Sequence, residues 1–166
     1  MPVTPFHFGP GAAIHAVAPR HVSFLAFCAS NVLIDIEPLY YMLTGQARLH
    51  RFFHTLVGAC VVAAFTVVLF LLARRLGRGR RLLDPFGWQS PSVGAVAWGA
   101  ITGTGSHIVL DSVMHADITP LAPFSDLNPL LHLISLSALH WLCIGAGAFG
   151  LVVIGVHRGL VRKKRA

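Results

Sequence analysis

Residues 93–115 read VGAVAWGAITGTGSHIVLDSVMH, and this stretch decides what kind of fold the chain forms. Its apolar part, Val93 to Met114, is long enough to cross a bilayer, which takes about 20 residues of helix. It carries His107, Asp111 and His115 at successive four-residue steps, so on a helix the three side chains stack on one face, about 6 Å apart at Cβ. An Asp at the centre of a membrane helix costs about 2.5–3.5 kcal/mol, so such a residue usually has a function. The stretch therefore predicts a membrane helix that ends in a His and carboxylate ligand set for a divalent metal.

The composition of the whole chain fits a small integral membrane protein. Of its 166 residues, 55% are hydrophobic and only 11% are charged, which is too apolar for one soluble domain. The net charge of +7 comes from basic clusters at 74–81 and 158–165, each of which follows an apolar segment. That placement is typical of cytoplasmic orientation signals and of contact with anionic lipid heads. Because no aromatic-basic surface or known module accompanies the charge, we expect no nucleic-acid partner.

Two further segments, Thr55 to Ala73 and Leu133 to Val156, are also apolar over the length of a bilayer. The span at 93–114 is less hydrophobic than these two and rich in glycine. Because small residues let membrane helices approach closely, this composition predicts a central position in the bundle. Cys28, Cys60 and Cys143 lie singly in apolar runs and are interpreted as small buried hydrophobic residues.

The N-terminal part contains two short apolar segments, Phe8 to Ala18 and Val22 to Ile34, separated by Pro19-Arg20-His21. The second would be only about 20 Å long as a helix, so we predict a helical hairpin that turns at Arg20. The alternative is one span from Val22 to Leu43, but Asp35, Glu37 and Pro38 would then lie inside it, and Pro38 disfavours helix at Glu37. The predicted fold is therefore all-α: a polytopic membrane bundle of three long spans and a short N-terminal hairpin, forming one domain over residues 1–166.

The basic clusters and Arg20 then share one side of the membrane, which the positive-inside rule makes the cytoplasm. The C-terminus is expected to be cytoplasmic and the N-terminus outside. The first nineteen residues contain no Lys or Arg, so we expect no secretory signal peptide with a basic head.

Polar residues gather on the opposite side. The candidate metal ligands are His7, Asp35, His50, His54, His107, Asp111 and His115. Two pairs four residues apart, on separate helices, are expected to clamp a metal. A carboxylate of the Asp35–Glu37 turn would either bridge ions or act as general base on a metal-bound water. Asp117 is either a loop cap or a further carboxylate of the site, and Arg51 either reaches lipid head groups or binds a substrate phosphate.

Simpler interpretations compete with these. In the first, His50 and His54 are simply interfacial residues at the end of a membrane helix. In the second, His107 and Asp111 are a buried hydrogen-bonded pair that stabilises helix packing. The other histidines have no partner at ligand spacing and are interpreted as structural: His15, His21, His132, His140 and His157.

The order of these motifs resembles the YdjM-type membrane-bound metal-dependent hydrolases, the LexA-regulated inner-membrane hydrolase family. The matching residues are His7, Asp35, His50-Arg51-x-x-His54, and His107-x-x-x-Asp111 followed by Pro123-Phe124-Ser125. The His-x-x-x-Asp pair is also similar to the zinc-dependent phospholipase C and P1-type nuclease superfamily. The resemblance, and not the spacing, implies phosphoester hydrolysis.

The expected function is that of a multi-pass enzyme of the bacterial inner membrane with its site facing the periplasm. One or more divalent cations, with Zn²⁺ expected, would activate a water to cleave a phosphoester of a lipid or lipid-linked substrate. Glu37 is the predicted general base, and Arg51 is predicted to hold the substrate's anionic group. The alternatives are an intramembrane metal or proton transporter and a structural metal-binding membrane protein.

Overall fold

The computed structural model describes residues 4–77 and 90–163, and within these ranges the chain forms helices and no strands. Two short 3-10 turns, Thr4–His7 and Phe52–His54, accompany six α-helices. The α-helices are α1 Phe8–Val17, α2 Phe24–Ile34, α3 Ile36–Leu43, α4 Leu56–Gly77, α5 Val93–Met114 and α6 Leu136–Lys163. The predicted all-α class is confirmed.

Three of these helices are long and apolar enough to cross a membrane: Leu56–Gly77, Val93–Met114 and the Leu136–His157 part of α6. Each of the three stretches has 22 residues, close to the length that a bilayer requires. The predicted ends of the middle span are the observed ones, and those of the other two differ by a few residues. Large apolar side chains such as Phe65, Leu72, Trp141 and Leu151 are exposed along α4 and α6, where lipid would cover them. The chain is a membrane protein.

Helix α5 is the central helix of the bundle, as its glycines predict. Of its most apolar window, 44% is buried, against 28% for α4 and 17% for α6, because α5 packs against α2 on one side and α4 on another. A Cβ at Gly99 would collide with the backbone of Ser23, and one at Gly103 with Ser30 and Phe27. These two glycines let α2 lie directly against α5.

The N-terminal hairpin is confirmed. The Ser23 hydroxyl accepts a bond from the Ala26 N–H and caps α2, and the backbone N–H of Ser23 donates to Ala95 at 2.9 Å. The turn that contains Arg20 therefore lies beside the first turn of α5. From there α1 packs against α6, while α2 packs against α5 and α4.

The chain between Asp35 and Leu43 differs from the prediction. Helix α2 ends at Ile34 as expected, but Glu37 and Pro38 belong to the first turn of α3, whereas Pro38 was expected to keep Glu37 out of a helix. The prediction is wrong because a backbone N–H in the first turn of a helix has no intrahelical partner, so a proline costs little there. A single span from Val22 to Leu43 is not formed.

The bundle has two chemically different ends. His7, Asp35, His54 and Asp111 lie where α1 and α4 begin and where α2 and α5 end. Arg74 lies at the far end of α4, and its guanidinium donates to the Pro91 carbonyl at 2.7 Å, just before α5 begins. Five residues of the predicted basic clusters lie outside the described residues: Arg78, Arg80, Arg81, Lys164 and Arg165.

Candidate metal centre

The last turns of α5 supply the centre of the polar cluster. His107 and Asp111 are one helical turn apart and both are fully buried. His7 closes the 3-10 turn before α1, Asp35 follows the last residue of α2, and His54 closes the 3-10 turn before α4. Five side chains from four separate parts of the chain thus meet at one end of the bundle.

A first ligand group consists of Asp35, His54, His107 and Asp111, each of which offers one atom within 4.8 Å of the others. Nε2 of His107 lies 3.2 Å from Oδ1 of Asp35 and 3.2 Å from Oδ2 of Asp111. Nε2 of His54 lies 3.8 Å and 3.6 Å from the same two oxygens. Two imidazoles and two carboxylates are a ligand set that suits Zn²⁺ and similar divalent ions.

The hydrogen bonds around His107 fix which of its nitrogens faces this group. The Asn31 amide donates to the Phe27 carbonyl at 2.9 Å, so its oxygen points the other way and accepts from Nδ1 of His107 at 3.0 Å. With the proton on Nδ1, Nε2 directs a lone pair at two carboxylate oxygens. Such atoms converge only around a positive charge, either a second proton or a cation.

The surroundings of His54 favour a cation over a second proton as the positive charge between these ligands. Neither of its ring nitrogens has a hydrogen-bond partner among the described residues, although the side chain is fully buried. Burying an imidazole without a hydrogen-bond partner costs free energy of folding. A proton held between His107 and the carboxylates would still leave His54 without a partner. A divalent cation would take Nε2 of both histidines together with both carboxylates, so the residues fit a metal.

A second ligand group consists of His50, Asp111 and His115, whose ligand atoms also lie within 4.8 Å of one another. Nδ1 of His50 lies 2.8 Å from Oδ1 of Asp117, and Oδ2 of Asp117 accepts the backbone N–H groups of Leu49 and His50, each at 3.1 Å. Nε2 of His50 and Nε2 of His115 are buried and, among the described residues, have no hydrogen-bond partner. Asp117 therefore leaves His50 with one nitrogen for a ligand, as a carboxylate behind a metal-binding histidine usually does.

Burial keeps the imidazoles of this second group in the form that binds metals. It lowers the pKa of His50, helped by the nearby His54, and it also lowers the pKa of His115. For Asp117 burial acts in the opposite direction, but the hydrogen bonds from His50 and Leu49 hold the pKa of its carboxyl below the usual value. Neutral imidazoles and an ionised carboxylate are the forms that metal binding needs.

A cavity of about 750 Å³ adjoins the second group. Its polar lining is Asp35, His50, His115 and Asp117, and most of its wall is apolar, formed by residues such as Phe8, Val32, Ile36, Leu39 and Met42. Four of these apolar residues, Val32 of α2 and Ile36, Leu39 and Met42 of α3, are also exposed on the surface.

The helical pairing predicted for the ligands is wrong at two places. Helix α5 ends at Met114, and His115 has an extended backbone, so it leaves the face of His107 and Asp111 and lies against the His50 ring, with centroids 4.5 Å apart. His50 precedes the 3-10 turn that holds His54, so these two do not form a pair on one helix. His54 joins the first group and His50 the second.

His7 lies beside the ligand groups and belongs to neither. Its Nε2 is 3.2 Å from Oδ1 of Asp111, and its Nδ1 is 3.1 Å from Nδ1 of His107. Because the side chain is 2% exposed, it is part of the buried cluster, in contact with two ligands.

Glu37 and Arg51 also lie outside both groups. The Glu37 carboxylate accepts the backbone N–H groups of Phe52 at 3.2 Å and Phe53 at 2.7 Å. The Arg51 guanidinium lies over the Tyr41 ring, 3.9 Å from its centroid, and donates to the Gln46 side chain and to the Arg48 carbonyl. Both side chains hold the segment that leads into His54.

Sequence reasoning missed Asn31. The signal available for it was a lone amide in an apolar helix, one turn before Asp35. Of the histidines predicted as structural, His15 donates to the Val22 carbonyl and His140 stacks on Phe6. The three cysteines are free, but only Cys143 is buried; Cys60 is exposed on α4, so the prediction that it is buried is wrong.

The chain matches no family model, no curated protein and no solved structure in comparisons with known proteins.

Proposed function

We propose that the protein is a membrane-bound metal-dependent hydrolase that cleaves a phosphoester of a lipid or lipid-linked substrate. The observation that carries this proposal is that members of both ligand groups, Asp35 of the first and His50 and His115 of the second, line an apolar-walled cavity. A divalent cation held there would lower the pKa of a coordinated water and polarise a phosphoryl oxygen.

The chain's own residues have three tasks in such a reaction. Asn31 and Asp117 fix the ring orientation of His107 and His50, so that the nitrogens facing the centre are ready without rearrangement. The exposed apolar residues of α2 and α3 would bind the hydrocarbon part of an amphiphile, while Asp35, His50 and His115 face its polar part. Glu37 orders residues 52–54 and so places His54.

Hydrolysis would break the phosphorus–oxygen ester bond, add a hydroxyl to phosphorus and give a proton to the leaving alcohol. The sequence-based prediction assigns the proton transfer to Glu37. Its two oxygens already accept backbone N–H groups, which favours a positioning role for Glu37 over a role as base.

The proposed orientation is a bacterial inner-membrane protein with the ligand groups toward the periplasm and the C-terminus in the cytoplasm. This orientation is supported by the placement of the ligand groups at one end of the bundle and of basic side chains at the other. Arg20 lies in the turn beside the first turn of α5, and Arg74 donates a hydrogen bond to the carbonyl of Pro91, just before α5 begins. Basic residues at one end of a helical bundle indicate the cytoplasmic side.

The test uses purified protein in nanodiscs that contain phosphatidylethanolamine and phosphatidylglycerol, or a polyprenyl diphosphate. Phosphorus NMR is expected to show a new phosphate or phosphorylated head group with zinc-loaded protein. The signal should disappear after chelation and in His107→Ala, and it should persist in His157→Ala, which changes an exposed histidine of α6. If zinc-loaded protein leaves all three lipids intact while binding metal, the structural or transport alternatives replace this proposal.

A further inference from the structure

The loop that joins α5 to α6, residues 115–135, carries large apolar side chains that are exposed: Leu121, Phe124, Leu127 and Leu133. Phe124 is 88% exposed and Leu127 is 72% exposed. Phe124 also lies in Pro123-Phe124-Ser125, a sequence motif that is part of neither ligand group and does not line the cavity. A group of exposed apolar side chains usually marks a contact with a membrane or with another protein.

Hydrogen bonds hold this loop at the level where the membrane-spanning helices end. The Pro120 carbonyl accepts the backbone N–H of Leu56, the first residue of α4, at 2.9 Å. The Asn128 side-chain amide donates to the Ser112 carbonyl, in the last turn of α5, at 2.8 Å. The exposed segment 121–127 lies between these two attachments, so both of its ends are fixed to the ends of membrane spans.

The polar groups of the loop backbone are largely satisfied within the protein. Three of the loop residues are prolines, which have no N–H: Pro120, Pro123 and Pro129. Most of the other N–H groups between 118 and 133 donate to carbonyls or side chains of the protein. Phe124 and Ser125, for example, both donate to the Leu121 carbonyl, at 3.0 and 3.2 Å. Backbone without regular secondary structure can approach the hydrocarbon of a bilayer only when its polar groups have such partners.

The exposed side chains of the loop are continuous with the apolar surface of two spans. At one end, Leu56 and Val57 are exposed in the first turn of α4, where Leu56 bonds to Pro120. At the other end, the exposed Leu133 shortly precedes Leu136, the exposed first residue of α6. Lipid covers the apolar faces of α4 and α6, so the same lipid is the natural partner of the loop between them.

We infer that the loop inserts Phe124 and Leu127 into the boundary between head groups and acyl chains, in the leaflet on the side of the ligand groups. Asp126 is exposed between these two side chains and limits the insertion, because an ionised carboxylate is costly in hydrocarbon. Residues 115–135 contain no Lys or Arg, so the contact is apolar and does not depend on anionic lipid.

This contact would fix the depth of the cavity relative to the membrane surface. The loop begins with His115 and Asp117, which both line the cavity, and Asp117 also holds the His50 ring. A loop anchored in the lipid would therefore keep this edge of the cavity at head-group level. The inference goes beyond the proposed function, since it concerns how the chain contacts the bilayer and holds with or without catalysis.

Site-directed spin labelling tests the inference in full-length protein in phosphatidylcholine nanodiscs. The background variant is Cys60→Ala, which removes the exposed cysteine of α4, and its labelling without an added cysteine measures any reaction of Cys28 and Cys143. Single labels are then introduced with Phe124→Cys, Leu127→Cys or Asp126→Cys. EPR power saturation compares collisions with oxygen, which concentrates in lipid, and with a water-soluble nickel chelate.

We expect oxygen collisions to dominate at Phe124→Cys and Leu127→Cys, as they should in the reference Phe65→Cys on the exposed face of α4. At Asp126→Cys, in the same loop, the ratio of oxygen to nickel collisions should shift toward nickel. Replacing phosphatidylcholine by phosphatidylglycerol should leave the ratio at Phe124→Cys unchanged. Circular dichroism checks folding, and the two labelled positions, 124 and 127, each carry the test alone if the other variant does not fold.

Nickel collisions at positions 124 and 127 as frequent as those at Asp126→Cys would place the loop in water and overturn the inference. Labels that neither reagent reaches would show that protein, such as a second copy of the chain, covers the loop, and lipid would be the wrong partner. A ratio that changes with anionic lipid would overturn the apolar nature of the contact. None of these readouts depends on metal binding or lipid cleavage, so they are separate from the test of the hydrolase.

Discussion

Nδ1 of His50 lies 2.8 Å from Oδ1 of Asp117, and this contact joins the loop before α4 to the loop after α5. The same carboxylate also accepts the backbone N–H groups of Leu49 and His50, so it fixes both the main chain and the ring. One edge of the cluster is thereby held in place without any regular secondary structure. The second ligand group depends on this loop-to-loop contact, whereas the first is built largely on helix ends.

Asn31 offers a test of how far the first group depends on its hydrogen-bond partner. In Asn31→Leu, Nδ1 of His107 loses its amide acceptor, and we expect the affinity for Zn²⁺ to fall by about 10–100-fold because the ring orientation and tautomer are no longer fixed. Competition with a fluorescent zinc chelator measures the change.

The matched control for that variant is Ser30→Ala. Ser30 is buried on the same helix and bonds only to the Phe27 carbonyl within the described residues, so its loss leaves His107 untouched. Equal zinc affinities for Asn31→Leu and the wild type would show that His107 needs no such support.

Glu37→Gln distinguishes a positioning residue from a general base. Glutamine has one acceptor oxygen, so one of the N–H groups of Phe52 and Phe53 would face an amide N–H₂ instead of an oxygen. We expect the loop that carries His54 to shift and zinc occupancy to fall, measured by elemental analysis. Asp35→Asn, which changes a ligand of the first group, should lower occupancy more.

The opposite result has a clear meaning. Full zinc occupancy in Glu37→Gln together with a loss of about 10²–10⁴ in turnover is what removal of a general base produces. That pair of observations would restore Glu37 to the catalytic role that the sequence predicts.

Gly99 tests the close contact between α5 and α2. A Cβ at this position would meet the Ser23 backbone and Ala26, and overpacking of this kind costs about 1–3 kcal/mol. Gly99→Ala should therefore lower the unfolding temperature in detergent. Gly105→Ala, on the same helix with no atom within 4 Å of the added Cβ, should not. Equal losses in the two variants would contradict the close packing of α2 against α5 at Gly99.

Membrane topology is checked with reporter fusions. A fusion after Asp126 follows α5 on the side of the ligand groups and should report the periplasm, whereas fusions after Arg81 and Arg165 should report the cytoplasm. The reason is that loops rich in Lys and Arg next to membrane spans stay on the cytoplasmic side. A cytoplasmic signal at Asp126 would place the ligand groups on the wrong side for the proposed enzyme.

The sequence by itself determined the membrane character of the chain and the three spans, because length and hydrophobicity act residue by residue along one helix. It also determined the pairing of His107 with Asp111, which a four-residue step places on one face, and the hairpin turn at Arg20, since neither short apolar segment spans a bilayer. Local rules suffice for these features.

Only the tertiary structure decided how the ligands divide. His115 leaves the helix that its spacing predicts, because α5 ends at Met114, and His50 and His54 separate into different groups, because no helix joins them. Asn31 and Asp117 were recognisable as partners of His107 and His50 only once α2 packed on α5 and the two loops met. These contacts join residues 67 or more positions apart, and no periodicity within a single element can specify them.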